Sequence, residues 1–407
     1  MSDAPFYEKY PQRSCAVCDG LTSRRLFRQT FLAMSSGSLL QGYDLVVCEK
    51  CGFCFSDHIP SQDEFDAHYR DMSKYEYQDQ GGMETTYDLA RFHVIANCLI
   101  PFLSSKNARL FDAGCATGRL LAILRERGFS NVMGLDPSPA CAEAAKRLYD
   151  VRVATGTLYE IKALVGNCSV DCMILSGVLE HIRDILKALF LMREILSENG
   201  LIFFDVPDAA GFAQYPDAPF QQFSTEHINF FSEVSLENLM RRHGFIPVFS
   251  ERAAIEQSFG TVMPSVMAIF RKTNKTDFLT APIPDDETAA GLLKYIDKSQ
   301  KVDAGISLAI EKIVASAVPV IVWGVGTHTL HLLAKGRLGK ANIRAFVDSN
   351  RRYQGKRLNE IPILSPHELK GRSEAILLSS RVFQASIEKQ IREELGLKNE
   401  IIKLYGL

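Results

Sequence analysis

The sequence predicts an α/β protein built from three parts, and three local patterns support this prediction. Two Cys-x-x-Cys pairs lie near the beginning of the chain, and a strand, a glycine-containing turn and a helix follow one another near its middle. A second unit of that kind lies in the last third. Strands that alternate with helices are typical of a mostly parallel sheet covered by helices. The 407 residues leave room for two or three domains, and we predict the boundaries 1–75, 76–272 and 273–407.

Composition and charge exclude several classes of protein. Hydrophobic residues make up 46% of the chain, and the formal net charge of −2 gives no electrostatic reason to expect a nucleic-acid partner. No run of about eighteen apolar residues is present, so no membrane span is expected. The first residues lack a basic segment followed by an apolar one, which argues against secretion. We therefore expect a cytoplasmic protein.

The cysteines of the front part have the spacing of a structural metal site. Cys15 and Cys18 form one pair, Cys48 and Cys51 form the other, and 29 residues separate the pairs. Two such pairs complete a tetrahedral site, and ten cysteines in a chain of this size favour metal or reduced thiols over a disulfide scaffold. Four free core cysteines or a redox pair are the alternatives, but no thioredoxin-like pattern surrounds either pair. We predict that these four cysteines bind zinc and that the ion folds a small lobe.

A glycine turn lies between a predicted strand and a predicted helix at the centre of the chain. An apolar run ends at Phe111, Gly114 and Gly118 lie in the turn, and apolar residues recur at helical spacing from Leu120. Glycine lets a ligand approach the backbone, and the N–H groups of a helix N-terminus favour an anionic group. A second predicted strand ends at Asp136, where a doubly wound fold places an acid on ribose hydroxyls. An ordinary turn of another α/β protein is the alternative.

The stretch from Phe111 to Arg119 resembles the first motif of class I S-adenosylmethionine (SAM) methyltransferases, with Ala116 in place of the usual middle glycine. In those enzymes the turn holds the aminocarboxypropyl part of SAM, and the later acid holds its ribose. The resemblance implies a Rossmann-like methyltransferase domain with SAM as cofactor. The SAM contacts that it implies are Asp112, Gly114, Cys115, Gly118, Asp136 and Ser176.

Two Glu-His pairs are candidates for acid–base chemistry. Glu180 and His181 follow a predicted strand, and open α/β sheets bind ligands at the carboxyl ends of their strands. Glu226 and His227 lie in an aromatic-rich segment, where a charged pair is unfavourable unless it is paired or used. Imidazole titrates near neutral pH and is suited to proton transfer. The alternative for His227 is a structural histidine bonded to a backbone carbonyl.

The last third begins with a linker and repeats the glycine turn. Residues 273–287 are rich in proline and polar side chains, and a long helix is predicted after them. A predicted strand then runs into Gly324 and Gly326, and a second strand ends at Asp348. This incomplete dinucleotide pattern is weak evidence for a dinucleotide ligand.

Taken in order, these motifs resemble those of the three-domain sugar C-methyltransferases, which act on nucleotide-linked keto-deoxysugars. The resemblance covers nearly the whole chain and includes the Leu-Glu-His-Ile and Glu-His-Ile-Asn-Phe-Phe-Ser stretches. It implies that Glu226, His227 and His181 line the sugar pocket, with a histidine or a tyrosine as the base. Tyr75 or Tyr77 would supply a tyrosine from an early loop, in a polar segment that is otherwise a solvated connector.

The same resemblance implies that the C-terminal domain is a Rossmann-like unit that helps to hold the nucleotide-sugar and binds no NAD. Many members carry a tyrosine two residues before the glutamate, where this chain has Ser224. A purely structural domain is the alternative. The substrate contacts implied are Ser224, Asn229, Gly324, Gly326, His328 and Arg352.

We therefore expect methyl transfer from SAM to a carbon next to a ketone of a nucleotide-linked sugar. His227 is the expected base, and Glu226 is expected to orient it. O- or N-methylation of a sugar is one alternative, and a protein that binds SAM or a nucleotide-sugar without turnover is another. A dehydrogenase that uses the C-terminal glycines is the least favoured.

Overall fold

The computed structural model describes residues 9–32, 39–72, 81–166, 169–273, 281–335 and 337–405. Tyr75 and Tyr77 lie outside the described residues. Three sheets organise the described part of the chain. The predicted α/β fold class, with Rossmann-like sheets and a cysteine-bearing lobe, is confirmed. The three predicted domain boundaries stay predictions.

The first sheet takes three strands from the front of the chain and one from its middle. Its order is β1-β2-β3-β9, and the neighbouring strands are antiparallel. The strands are β1 (Ser23–Thr30), β2 (Gly42–Cys48), β3 (Cys54–Asp57) and β9 (Asn229–Phe230). Because Cys54 pairs with Phe230, the front lobe is completed by residues just after His227. Helix α1 (Gln62–Met72) follows β3, so the polar segment expected to be a loop or connector is helical as far as Met72.

The central sheet has seven strands in the order β10-β11-β8-β7-β4-β5-β6. β10 and β11 form an antiparallel hairpin at one edge, β11 is antiparallel to β8, and the remaining pairs are parallel. The strands are β4 (Leu110–Ala113), β5 (Val132–Asp136), β6 (Val153–Thr155), β7 (Val170–Ser176), β8 (Leu196–Pro207), β10 (Phe245–Ser258) and β11 (Thr261–Lys272). All four residues of β4 are buried, as expected of a strand covered on both faces.

Helices cover both faces of the central sheet. They are α2 (Thr86–Leu99), α3 (Arg119–Glu126), α4 (Pro139–Tyr149), α5 (Ile161–Val165), α6 (Ile185–Ile195) and α7 (Glu233–Arg242). Apolar side chains of α2 and α3 form one core with the sheet, and those of α6 and α7 form another on the opposite face. Helix α2 ends at Leu99, and a short 3₁₀ segment (Ile100–Phe102) that contains Pro101 follows it.

The C-terminal sheet has six strands in the order β14-β15-β13-β12-β16-β17. The strands are β12 (Val320–Trp323), β13 (Ile343–Val347), β14 (Arg357–Leu358), β15 (Ile361–Leu364), β16 (Ala375–Leu378) and β17 (Ile401–Lys403). The helices are α8 (Asp286–Ser316), α9 (Thr327–Ala334) and α10 (Gln384–Lys389). Asp285 caps α8 by accepting a hydrogen bond from the Thr288 N–H group, which explains where the long helix begins.

One apolar core joins the front lobe, helix α8 and the C-terminal sheet. Phe220 and Phe223 lie at its centre, where Phe27 stacks on Phe220 at 4.8 Å and the ring of Tyr295 lies 5.2 Å from that of Phe223. The segment that carries Ser224, Glu226 and His227 therefore leaves a packed core. None of the helices in the described part of the chain combines the length and apolar composition that a membrane span requires.

Candidate active site

The glycine turn after β4 has a backbone that only glycine adopts easily at two positions. Gly114 and Gly118 have φ angles of 79° and 76°, in the left-handed region. The Gly114 N–H group donates to the carbonyl of Leu135 at 2.7 Å, which fixes the turn against β5. A Cβ atom at Gly114 would lie 2.5 Å from Cγ2 of Val178, so this turn has no room for a side chain.

Asp136 is held against that turn by its own hydrogen bonds. One carboxylate oxygen accepts from the Ala116 N–H group and the other from the Ser138 N–H group, both at 2.9 Å. Asp112 is buried at the end of β4, and burial, followed by the charge of Asp136, raises its pKa to about 7. Cys115 turns its side chain inward, where its sulfur would lie 2.4 Å from a Cβ at Gly134. Cys115 therefore offers the turn only its backbone.

A second network closes the site between β7 and β8. Ser176 and Ser265 both donate hydrogen bonds to the carboxylate of Asp205, at the carboxyl end of β8. Arg91, on α2, donates to the same carboxylate through Nε and Nη2 at 2.9 and 2.7 Å. This ion pair fastens α2 across the end of the sheet. The predicted SAM contact Ser176 therefore belongs to a network with a buried carboxylate.

A cleft of about 530 Å³ lies at the carboxyl edge of the central sheet and continues to the C-terminal domain. Such a volume is typical of small-molecule sites. Gly177, Glu180 and Asp205 line it on the side of the sheet, and Asn350 and Arg351 line it on the C-terminal side. Of the predicted site residues, the cleft is lined by Ser224, Glu226, His227 and Arg352.

Ser224 forms the turn that presents Glu226 and His227. Its hydroxyl oxygen accepts hydrogen bonds from the N–H groups of Glu226 at 3.2 Å and His227 at 3.0 Å. Such serine turns are a common alternative to regular structure. Asn229 does not reach the cleft, because its amide donates to the carbonyl of Ile182 at 2.7 Å and its oxygen accepts from Arg13. It connects this segment to the loop after His181.

His181 lies beside His227 and is held from several sides. Its Nδ1 atom is 2.9 Å from the Tyr69 hydroxyl and 3.0 Å from the carbonyl oxygen of Glu226. Its Nε2 atom lies 3.7 Å from a carboxylate oxygen of Glu180. The rings of His181 and His227 are 5.0 Å apart in an edge-on arrangement. The two predicted Glu-His pairs thus meet, although they are far apart in the sequence.

The four predicted metal ligands come together in the front lobe. All are buried, and the sulfur atoms of Cys15 and Cys51 lie 3.6 Å apart, while those of Cys18 and Cys48 lie 3.5 Å apart. Four sulfurs bound tetrahedrally at about 2.3 Å lie about 3.8 Å from one another, so the arrangement fits a zinc ion. A Cβ at Gly20 would lie 3.1 Å from the Cys48 sulfur, which explains the glycine there.

The second glycine turn, after β12, is filled by its own side chains. Thr329 donates to the carbonyl of Gly324 at 2.8 Å and lies 2.7 Å from the Ser379 hydroxyl. His328 is 2% exposed and is bonded to Tyr405, and burial lowers its pKa to about 3. His328 therefore does not reach the cleft, contrary to the role that the resemblance implied. Neither Gly324 nor Gly326 lines the cleft, whereas the neighbouring Thr327 does.

Comparison with known families identifies the central part. Residues 87–248 match the model of a methyltransferase domain. The chain is a SAM-dependent methyltransferase. Residues 317–402 of this methyltransferase match a second model, described as C2185-like, N-terminal.

Three proteins are similar to this chain in sequence or in structure. The C-methyltransferase NovU of Streptomyces niveus is 25% identical over 348 residues, which are 83% of this methyltransferase and 79% of NovU. An uncharacterized 37.1 kDa protein in transposon TN4556 of Streptomyces fradiae is 28% identical over 175 residues, 41% of this chain and 48% of that protein. A solved 1,6-didemethyltoxoflavin-N1-methyltransferase of Burkholderia thailandensis is 23% identical with a TM-score of 0.42, covering 55% of this chain and 95% of that one.

The sequence did not predict three residues of the site: Arg91 and Asp205 line the cleft, and Tyr69 contacts His181. Tyr69 contacts His181 from a position 112 residues earlier, and Arg91 pairs with Asp205 across 114 residues. Only Asp205 carried a signal in the sequence, because it follows a strand at the edge where ligands bind. No local spacing marked Tyr69 or Arg91.

Proposed function

We propose that this methyltransferase transfers the methyl group of SAM to a carbon next to a ketone of a nucleotide-linked keto-deoxysugar. The observation that carries the proposal is the cleft itself. His227 and Glu226 line it together with Gly177 and Asp205 from the ends of β7 and β8. The predicted acid–base pair thus borders the same cavity as Asp205, whose carboxylate accepts a hydrogen bond from the predicted SAM contact Ser176.

The chemistry accounts for the residue types. Bound SAM supplies an electrophilic methyl group, but a sugar carbon is not nucleophilic until it loses a proton. We propose that a ring nitrogen of His227 takes the proton from the carbon next to the ketone, so the electrons of the broken C–H bond form an enolate. General-base catalysis of this kind contributes roughly 10²–10⁴-fold. The carbon then forms a bond to the methyl group as the sulfur–methyl bond breaks, and sulfur keeps that electron pair.

Ser224 and Glu226 have supporting roles in this proposal. The Ser224 oxygen accepts two backbone hydrogen bonds, which leaves its O–H group to donate toward the developing oxyanion. Glu226 borders the cleft beside His227 and also lies 3.9 Å from Nε2 of His68. Holding the two reactants in line is worth about 7–11 kcal/mol in favourable cases. The relative NovU, named a C-methyltransferase, supports carbon as the acceptor.

The nucleotide part of the substrate would lie toward the C-terminal domain. Arg351 and Arg352 border that end of the cleft, and guanidinium groups bind phosphate oxygens in pairs. Phe383 also borders it, with 55% of its surface exposed. This domain therefore serves the methyltransferase as a substrate-holding unit in our proposal.

We also propose that Cys15, Cys18, Cys48 and Cys51 bind a structural zinc ion. Four buried thiols with no disulfide between them fit a closed structural site, and a metal ion bound there would add to the stability of the lobe. Metal analysis of the purified protein should find tightly bound zinc at these four cysteines. Cys48→Ser should remove it, and Cys54→Ser should retain it, because Cys54 lies outside the cluster.

Proton exchange tests the enolate route. A nucleotide-linked keto-deoxysugar incubated with the enzyme in D2O without SAM should exchange the proton next to its ketone, and NMR of the SAM reaction should locate the new methyl group on that carbon. His227→Asn should abolish the exchange, whereas His243→Asn should not, because His243 does not line the cleft. Turnover without exchange by the wild type, or a methyl group on oxygen or nitrogen, would contradict the proposal.

A further inference from the structure

A second group of side chains with metal-ligand atoms lies at the edge of the cleft, which Glu180 and His227 line, and is separate from the four cysteines. Glu180, His181 and His227 each bring one ligand atom to within 4.8 Å of the others. We propose that these residues bind a divalent transition-metal ion, such as Zn²⁺ or Co²⁺, and that the bound ion blocks His227 as a base. The binding rests on geometry alone, whereas the blocking rests on the proposed function.

The orientation of His181 supports a metal ligand. The carbonyl oxygen of Glu226 can only accept a hydrogen bond, so the Nδ1 atom, 3.0 Å away, carries the ring proton. The Tyr69 hydroxyl oxygen, 2.9 Å from the same Nδ1 atom, is then a second acceptor for that proton. In a neutral imidazole with this proton, Nε2 keeps its lone pair, and it lies on the side of Glu180. Metal-bound histidines typically have this arrangement, with the second nitrogen donating to a carbonyl or another polar group.

The ligand distances and burial also fit. Ligand atoms of a tetrahedral zinc ion, bound at about 2.0–2.1 Å, lie about 3.3 Å apart. The Nε2 atom of His181 and the carboxylate oxygen of Glu180 are 3.7 Å apart, close to that value. Both residues are buried, whereas His227 is partly exposed and lines the cleft.

The types of ligand select the kind of ion. Two imidazoles and one carboxylate favour zinc, cobalt or nickel over calcium or magnesium, which prefer oxygen ligands. Three protein ligands leave a fourth position open toward the cleft, in contrast to the closed set of four thiolates. The two sites are therefore distinguishable by their donor atoms.

Occupancy of this site removes the lone pair that His227 needs to accept a proton. We expect proton exchange to stop while the ion is bound and to return when a chelator withdraws it. SAM affinity should not change, because the glycine turn lies outside the three ligands. The ion would thus inhibit the enzyme without displacing its methyl donor.

Cobalt titration of the full-length, metal-depleted protein tests the site. Cobalt bound by the four cysteines has a thiolate charge-transfer absorption, and a second ion bound by nitrogen and oxygen adds only visible bands. His181→Asn should lose the second ion and keep the first. Tyr69→Phe should weaken the second ion about tenfold or more, as is typical of losing a hydrogen bond to a metal-bound histidine. His68→Asn is the control that retains both ions.

A single equivalent of bound cobalt in the wild type would overturn the metal site. So would a second ion that persists in both His181→Asn and Tyr69→Phe, or one that His68→Asn removes. Unchanged proton exchange with the second ion bound would overturn the blocking and would also remove His227 as the base. If the metal-free enzyme shows no proton exchange, both the proposed function and the proposed inhibition by the ion are wrong. The number of bound cobalt ions would still show whether the second metal site exists.

Discussion

The two glycine turns of this methyltransferase, one after β4 and one after β12, share their backbone hydrogen bonds and differ in what surrounds them. Gly114 donates to Leu135 at 2.7 Å, and Gly324 donates to Val347 at 2.8 Å. In each case the next residue of the partner strand is an aspartate. Asp136 accepts from the Ala116 N–H group at 2.9 Å, and Asp348 accepts from the Val325 N–H group at 2.8 Å.

The difference lies in the serine that ends the neighbouring strand. Ser176, the last residue of β7, donates to Asp205, and Asp205 lines the cleft. Ser379, after β16, bonds instead to Thr329, which also bonds to Gly324 and fills the second turn. A glycine turn with an acid on the next strand therefore specifies a backbone arrangement. Whether a ligand enters it depends on side chains that lie elsewhere in the sequence.

The largest expected difference between the turns comes from adding a methyl group to each. Gly114→Ala introduces a side chain at positive φ and within 2.5 Å of Val178, whereas a Cβ at Gly326 has no neighbour within 4 Å. Strain of about 1–3 kcal/mol corresponds to a loss of SAM affinity of about 5- to 150-fold. Gly326→Ala should bind SAM as the wild type does. Calorimetry measures both, and equal affinities for the two variants would contradict the comparison.

Replacing each of the two aspartates by asparagine should separate the effect on SAM binding from the effect on stability. Asp136→Asn and Asp348→Asn each weaken a bond to a turn N–H group, so both should lower the unfolding temperature. Only Asp136→Asn should weaken SAM binding, by about tenfold or more, because a hydrogen bond to a charged group contributes about 1.5–3 kcal/mol. A comparable loss of SAM affinity in Asp348→Asn would show that both turns take part in binding.

The buried acid Asp112 makes stability depend on pH. Its pKa rises from an ordinary 3.8 to about 7, so the folded state binds a proton that the unfolded state has lost, and stability falls as pH rises from about 4 to about 7. Asp112→Asn should flatten this slope in unfolding curves. Asp171→Asn is the control: hydrogen bonding to Arg109 lowers the Asp171 pKa to about 2, so this variant should leave the slope above about pH 5 unchanged. An unaltered slope in Asp112→Asn would contradict the assignment.

The smallest expected effect concerns Ala116, which has a φ angle of 47°. A non-glycine residue in the left-handed region costs about 1–2 kcal/mol. Replacing it by glycine removes this strain, but glycine makes the unfolded chain more flexible and so lowers stability by about 0.4–1 kcal/mol. Ala116→Gly should therefore stabilise the enzyme by no more than about 1.6 kcal/mol. Gly324→Ala, at a φ angle of 106°, should destabilise it. Denaturant midpoints with unchanged slopes measure both, and a destabilised Ala116→Gly would refute the strain argument.

Local sequence patterns predicted those parts of the site that are formed by residues close together in the chain. The turn around Gly114, the acid Asp136 and the cysteine pairs each depend on a few residues close together in the chain, so their spacing was informative. The fold class followed from the same alternation of strands and helices. His328 was assigned by analogy to the substrate site, but Tyr405, 77 residues away, holds it in the interior.

The histidine cluster shows why the rest was not predictable. Tyr69, His181 and Glu226 meet because α1, the loop after β7 and the segment before β9 converge in space. No spacing in the sequence records such a convergence. A charged residue such as Arg91 on a helix also has no local sign that distinguishes an ion pair with Asp205 from exposure to solvent.

The two-residue strand β9 also constrains the order in which the protein forms during translation. The sheet of the front lobe lacks its fourth strand until Asn229 and Phe230 have left the ribosome, long after Cys15 to Cys51 have emerged. Contacts between segments so distant in the chain form slowly. The cysteine lobe and the loop that carries His227 therefore mature together, and a nascent chain stopped before residue 229 would have neither a finished lobe nor a finished catalytic loop.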